Sequence, residues 1–143
     1  MVYALDTNII IHYLRRDPNV THKLNDAILR GDDLVVPKIV NYELRRGFRI
    51  ASAPNKEAAY STLIEPAGCC DIAQMDDDSW EQAEKVYTDL HRKRLTVGEL
   101  DILIAAYCIE YSCTLVTNNT KHFSVIDGLL IEDWTMADNN EEI

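Results

Sequence analysis

The chain has no apolar run approaching the roughly 20 residues that a membrane span requires. Its N-terminus carries no basic stretch, and Asp6 interrupts the opening apolar segment too early for a signal sequence. A cytoplasmic location is therefore expected. Cysteine is scarce and ill-placed for zinc: Cys69, Cys70, Cys108 and Cys113 form no C-x-x-C pair, and no histidine stands at finger spacing. Vicinal Cys69 and Cys70 bridge poorly without strain, so reduced, partly buried thiols are expected. Bases are few: 14 Lys and Arg face 24 Asp and Glu, a net charge of −10. That balance argues against unspecific nucleic-acid binding, which depends on cations neutralising phosphates. It still allows a nuclease that handles phosphate through a bound cation, and it suits a basic protein partner. Internal repeats, low-complexity blocks and Gly/Ser linkers are missing too.

What is present fits one domain. The chain has 143 residues, 47% of them apolar, enough for a core of two or three layers. Residues 1–135 read as a single domain. Residues 136–143 read as an acidic tail, with Asp138, Glu141 and Glu142, that frays.

Strand and helix signals alternate. "VYAL" is a strand that runs into Asp6, placed as the N-cap of a helix over Thr7 to Arg15. Asp17-Pro18 breaks that helix, and helical spacing resumes from Val20 to Arg30. "LVVP" is a short buried strand. Ile39 to Ala51 is helical, with an apolar stripe of Val40, Leu44, Gly47, Phe48 and Ala51. A helix over Glu57 to Ile64 and a weak strand near Cys70 to Ala73 follow. Asp76-Asp77-Asp78 is a solvated helix start. Thr96-Val97-Gly98-Glu99 has the form of a capping box ahead of "LDILIAAYC". "CTLVT" and Leu129 to Ile131 are the last strands. Alternation of this kind predicts a mostly parallel sheet of four to five strands with helices on both faces. Sites in such sheets lie beyond the carboxyl ends of the strands.

Several acids converge on that edge. Asp6 ends the first strand, where capping alone would also explain it. Glu43 stands three residues after Val40 and four before Gly47, on the face the stripe buries. A carboxylate there needs a partner, and Arg46 at i+3 is one choice. Asp101 opens a helix whose N-terminus favours negative charge. Thr117-Asn118-Asn119 follows the strand "CTLV" on the same edge, where turn chemistry is the plain explanation of Asn119. Gathered in one cleft, three carboxylates would repel unless a cation or protons separate them. Hard oxygen donors with no Cys or His beside them suit Mg²⁺ or Mn²⁺.

The stretches "LDTNIII", "IVNYELRRG", "GELDILIAAYC" and "LVTNNTKHF…IDGLLIEDW" resemble the PIN-domain ribonucleases, most closely the VapC-type toxins of toxin–antitoxin pairs. Four motifs stand in the family's order, while residues 52–92 match by helix pattern only. The resemblance implies a three-layer α/β/α PIN-like fold and a catalytic, metal-binding set of Asp6, Glu43 and Asp101. Asn119 falls where many relatives carry a fourth acid, and its amide oxygen would join the metal-binding set. Thr7, Asn8, Thr117 and Glu99 would support the site. Further implications are a homodimer, a cognate VapB-type antitoxin over the cleft, and Mg²⁺ or Mn²⁺ as cofactor. The activity implied is endoribonuclease cleavage to 5′-phosphate and 3′-hydroxyl ends, with tRNA the substrate closest to the pattern. Arg45, Arg46 and Arg49 around Glu43, and Arg92, Lys93 and Arg94 before Asp101, are candidate grips for RNA phosphates; a solvated helix face explains them equally.

Two rivals differ in class. A phosphatase with an aspartyl nucleophile needs a second acid two residues on, where this chain has Asn8. A non-catalytic PIN-like binding module would be expected to lose one or more of the acids, and all three are present.

Overall fold

A computed structural model describes residues 1–64 and 68–137. Five strands form one sheet: β1 Val2–Leu5, β2 Asp33–Pro37, β3 Asp71–Ala73, β4 Thr114–Val116 and β5 Leu130–Glu132. Their order is β3-β2-β1-β4-β5, and every pairing is parallel. The helices are α1 Thr7–Leu14, α2 Pro18–Arg30, α3 Lys38–Ala51, α4 Pro54–Ile64, α5 Asp77–Arg92, α6 Glu99–Glu110 and α7 Thr120–Phe123. Right-handed crossovers put α1–α4 on one face and α5–α7 on the other. The packing agrees: α1 touches α2, α3 and α4, while α5 packs along α6. The three-layer α/β/α arrangement expected from the alternation is therefore present.

Strand order reverses direction between β1 and β4, the two central strands. Both are buried through most of their length, with Ala4, Leu5, Leu115 and Val116 sealed from solvent. Such a reversal leaves a crevice at the carboxyl edge, because the chain departs from the two strands toward opposite faces. Asp6 N donates to Val116 O across it at 3.0 Å, which locks the ends of β1 and β4 together. The core is continuous across both layers and includes Ile9, Val20, Leu24, Val40, Tyr60, Ile104 and Phe123.

Local signals explain most boundaries. Asp17 accepts from Asn19 N and Val20 N, and Pro18 occupies the first turn, so α2 restarts where α1 stops. Gly31 ends α2 at φ 80°, a left-handed conformation that few side chains tolerate. Asp76 caps α5 by accepting from Ser79 N.

Two expectations fail. The capping box at Thr96–Glu99 does not form: Gly98 is the N-cap of α6, without a side-chain bond, and Glu99 is the first helical residue. Val97 is buried, which draws the chain into the core and sets the helix start two residues later than Thr96 would. Gly47 and Ala51 do not lie under the stripe of α3 but are exposed beside Phe48. The turn after β4, residues 117–119, leads into a short helix, α7. Of the tail expected to fray over residues 136–143, residues 138–143 lie outside the described residues. No helix of the described residues is long and apolar enough to cross a membrane.

Candidate active site

Asp6 occupies the crevice because β1 ends there. It is only 4% exposed. Its Oδ1 accepts from Thr7 N at 2.8 Å, the capping bond. Its Oδ2 accepts from Thr117 Oγ1 at 2.8 Å and Asn8 Nδ2 at 3.1 Å. Asn8 is fixed in turn, since its Oδ1 accepts from Asn118 N at 3.0 Å. Asn119 N donates to Thr117 Oγ1 at 3.0 Å. Burial pushes the Asp6 carboxyl above its ordinary value, the Thr117 and Thr7 bonds oppose that, and the charge of Asp101 adds to it.

Glu43 comes from the middle of α3, half-buried. Its one hydrogen bond among the described residues is long: Thr7 Oγ1 donates to Oε1 at 3.4 Å. Burial raises its pKa first, then the charges of Asp6 and Asp101. Arg46 lowers it only as a nearby charge, for its guanidinium lies over the Tyr42 ring at 5.0 Å and forms no ion pair with Glu43. Asp101 comes from the first turn of α6, opposite, where the helix N-terminus favours its charge. The two helices α3 and α6 touch, which carries Glu43 and Asp101 to the ends of β1 and β4.

Three acids from three elements thus share one field, each raising or raised by another. Their donors are all carboxylate oxygen; hydroxyl and amide groups adjoin them, and so does the imidazole of His122, against the expectation that no histidine stands beside them. This donor chemistry fits Mg²⁺ or Mn²⁺. As placed, no three His, Cys, Asp or Glu side chains of the described residues stand close enough to clasp an ion together.

The other expected site residues divide. Thr7, Asn8 and Thr117 all bond to the acids. Asn119 does not: it is exposed, and it contributes its backbone to Thr117 and to the start of α7, with no side-chain cap bond. Glu99 is exposed at the first position of α6. Arg45 is committed to the fold, bonded to Asn41 and Glu57 and lying over Tyr60. Lys93 is held by Asp89 and Asp127. Arg46, Arg49, Arg92 and Arg94 are exposed.

One residue at the site was not singled out from the sequence. His122 on α7 places Nε2 2.8 Å from Asp101 Oδ2. The signal was its place in "TNNTKHF", one turn after Asn119 on the carboxyl edge. Nothing local revealed that α7 faces the first turn of α6.

Known proteins align with this picture. The PIN domain profile matches residues 3–129. The chain belongs to the PIN-domain family. Within it, the chain is 30% identical to Ribonuclease VapC2 of Rickettsia felis over 134 residues, covering 94% of this chain and 98% of that one. It is 27% identical to the tRNA(fMet)-specific endonuclease VapC of Shigella flexneri over 135 residues, covering 93% and 98%. Among solved structures, DNA-bound VapBC from Salmonella typhimurium matches with a TM-score of 0.84 at 26% identity, covering 94% of this chain and 98% of that one.

Proposed function

We propose that this chain is a Mg²⁺- or Mn²⁺-dependent endoribonuclease toxin of the VapC kind, cutting RNA, and tRNA in particular, in the cytoplasm. The observation that carries it is the meeting of Asp6, Glu43 and Asp101 at the crevice between β1 and β4, with their charges coupled. These carboxylates would hold the cation. When bound, it supplies an acidified water and positive charge beside the scissile phosphate. Glu43, half-exposed and with a raised pKa, accepts the proton of the attacking water. Asp6, clamped by three donors, keeps one geometry throughout. Water adds to phosphorus as the bond to the 3′ oxygen breaks, and that oxygen leaves with a proton. The products carry 5′-phosphate and 3′-hydroxyl ends.

A cognate VapB-type antitoxin restrains the enzyme in this reading. An apolar groove of about 200 Å³ between α1, α3 and α4, lined by Ile11, Leu14, Leu44 and Phe48, supports such a partner. An Arg or Lys of that partner would compete for the same carboxylates. Trp80 and Tyr87, exposed seven residues apart on α5, support a homodimer.

The spacing of the acids, too open for three to clasp an ion as placed, favours the other reading, a non-catalytic PIN-like binding module. End-mapping of tRNA incubated with the protein separates the two. New 5′-phosphate ends are expected with Mg²⁺ or Mn²⁺ and none in excess chelator. Equal cleavage in chelator, or none in either metal, overturns the proposal.

A further inference from the structure

The three acids are not held alike. Asp6 has three donors, from Thr7, Asn8 and Thr117, and Glu43 has the long bond from Thr7. Among the described residues, Asp101 has one hydrogen-bond partner, His122, at 2.8 Å. Both side chains are about one-third exposed, at 30% for Asp101 and 32% for His122.

His122 is well mounted to restrain it. It sits on α7, which is anchored by Phe123, sealed from solvent. The His122 ring meets the Phe123 ring edge-on, with centroids 5.5 Å apart. Backbone bonds from His122 N and Phe123 N to Asn119 O fix the turn that carries both. Asn119 in turn is tied through Thr117 to Asp6. The imidazole and the innermost acid therefore hang from one short segment, residues 117–123.

We infer that His122 is a positioning residue for the cation site. Its Nε2–H donates to Oδ2 of Asp101 and holds that carboxylate in register with Asp6 and Glu43. Hydrogen-bonded partners of ligating groups commonly set ligand orientation, and their loss costs roughly 10–100-fold in metal affinity or activity. The inference rests on the metal-dependent reading above.

Mn²⁺ binding without RNA, followed by electron paramagnetic resonance of the free ion, tests it. Three variants are compared: His122→Ala, His122→Leu, which keeps bulk, and His122→Gln, whose amide N–H stands near the place of Nε2. Melting temperatures are measured alongside. The Ala and Leu variants are expected to bind Mn²⁺ about tenfold or more weakly. Gln should return binding to within roughly threefold of wild type. At saturating Mn²⁺ the cleavage rate of the Ala variant should recover most of its loss. Wild-type Mn²⁺ binding matched by the Ala and Leu variants overturns the inference and leaves the enzyme reading standing. A Gln variant as weak as Ala also overturns it, because bulk or stability would then be the cause. No Mn²⁺ binding by wild type removes both.

Discussion

Asp6 is 4% exposed and takes hydrogen bonds from three donors, whereas Glu43 and Asp101 are partly exposed and, among the described residues, take one each. The difference follows from their elements. Asp6 ends a central strand, where neighbouring backbone and the end of β4 surround it. Glu43 and Asp101 stand on helices at the rim, where only side chains reach them. In the metal-dependent reading proposed above, Asp6 would be the fixed inner acid, and Glu43 and Asp101, on the rim helices, would depend on their side-chain partners Thr7 and His122 for orientation.

The largest test of this contrast removes the inner charge. Asp6→Asn keeps a capping oxygen, since Asn caps nearly as well as Asp. The fold should therefore persist, while cleavage falls roughly a hundredfold or more, the scale of losing an electrostatic group in a preorganised site. Circular dichroism with a tRNA cleavage assay checks both, and near-normal cleavage would refute the central role of Asp6.

Next comes a pair of isosteric substitutions in the two mounts. Thr117 is sealed from solvent and donates to Asp6 at 2.8 Å. Thr117→Val should lower stability by about 1.5–3 kcal/mol, the range for a hydrogen bond to a charged group. It should also raise the Asp6 pKa further. Thr7→Val loses only the 3.4 Å bond to Glu43 and keeps its backbone bond to Asp6. Its change should stay within about 0.5 kcal/mol. Urea titrations of both would show whether inner and outer mounts differ; equal losses would erase the distinction.

The smallest effect concerns repulsion. Burial and mutual charge raise the Asp6 and Glu43 pKa values above 3.8 and 4.5. Below those ordinary values both folded and unfolded chains are protonated, and the acids cost nothing. The cost builds as pH rises through them and is complete above the raised values, because the folded state binds more protons in that window. Asp101→Asn removes one source of the raise. At neutral pH without metal, it should melt at or slightly above wild type, with a gain of at most about 1 kcal/mol given the solvent at this rim. The gap should close as pH falls toward 4.5. Mn²⁺ should raise the wild-type melting point and leave the variant nearly unmoved. A variant that melts lower, with both proteins indifferent to metal, would make Asp101 structural.

The amino-acid sequence by itself determined the alternating elements, the parallel sheet and the place of Asp6 at a strand end. These depend on neighbours in the chain: apolar period, Asp17-Pro18, Gly31 and the Asp76 cap all act within a turn or two. It also placed Glu43 and Asp101 on the right helices, since their elements and faces follow from the same periods. Tertiary structure decided which groups meet. That His122 stands beside Asp101 depends on where the chain, after leaving α6 and running through β4, places α7 against the first turn of α6. Likewise, Arg45 and Lys93 look like free cations in the chain but find Glu57 and Asp127 only when α4 and the β4–β5 connection fold against them. Even the capping box at Thr96, a local signal, gave way because burying Val97 outweighed a surface cap worth about 1 kcal/mol.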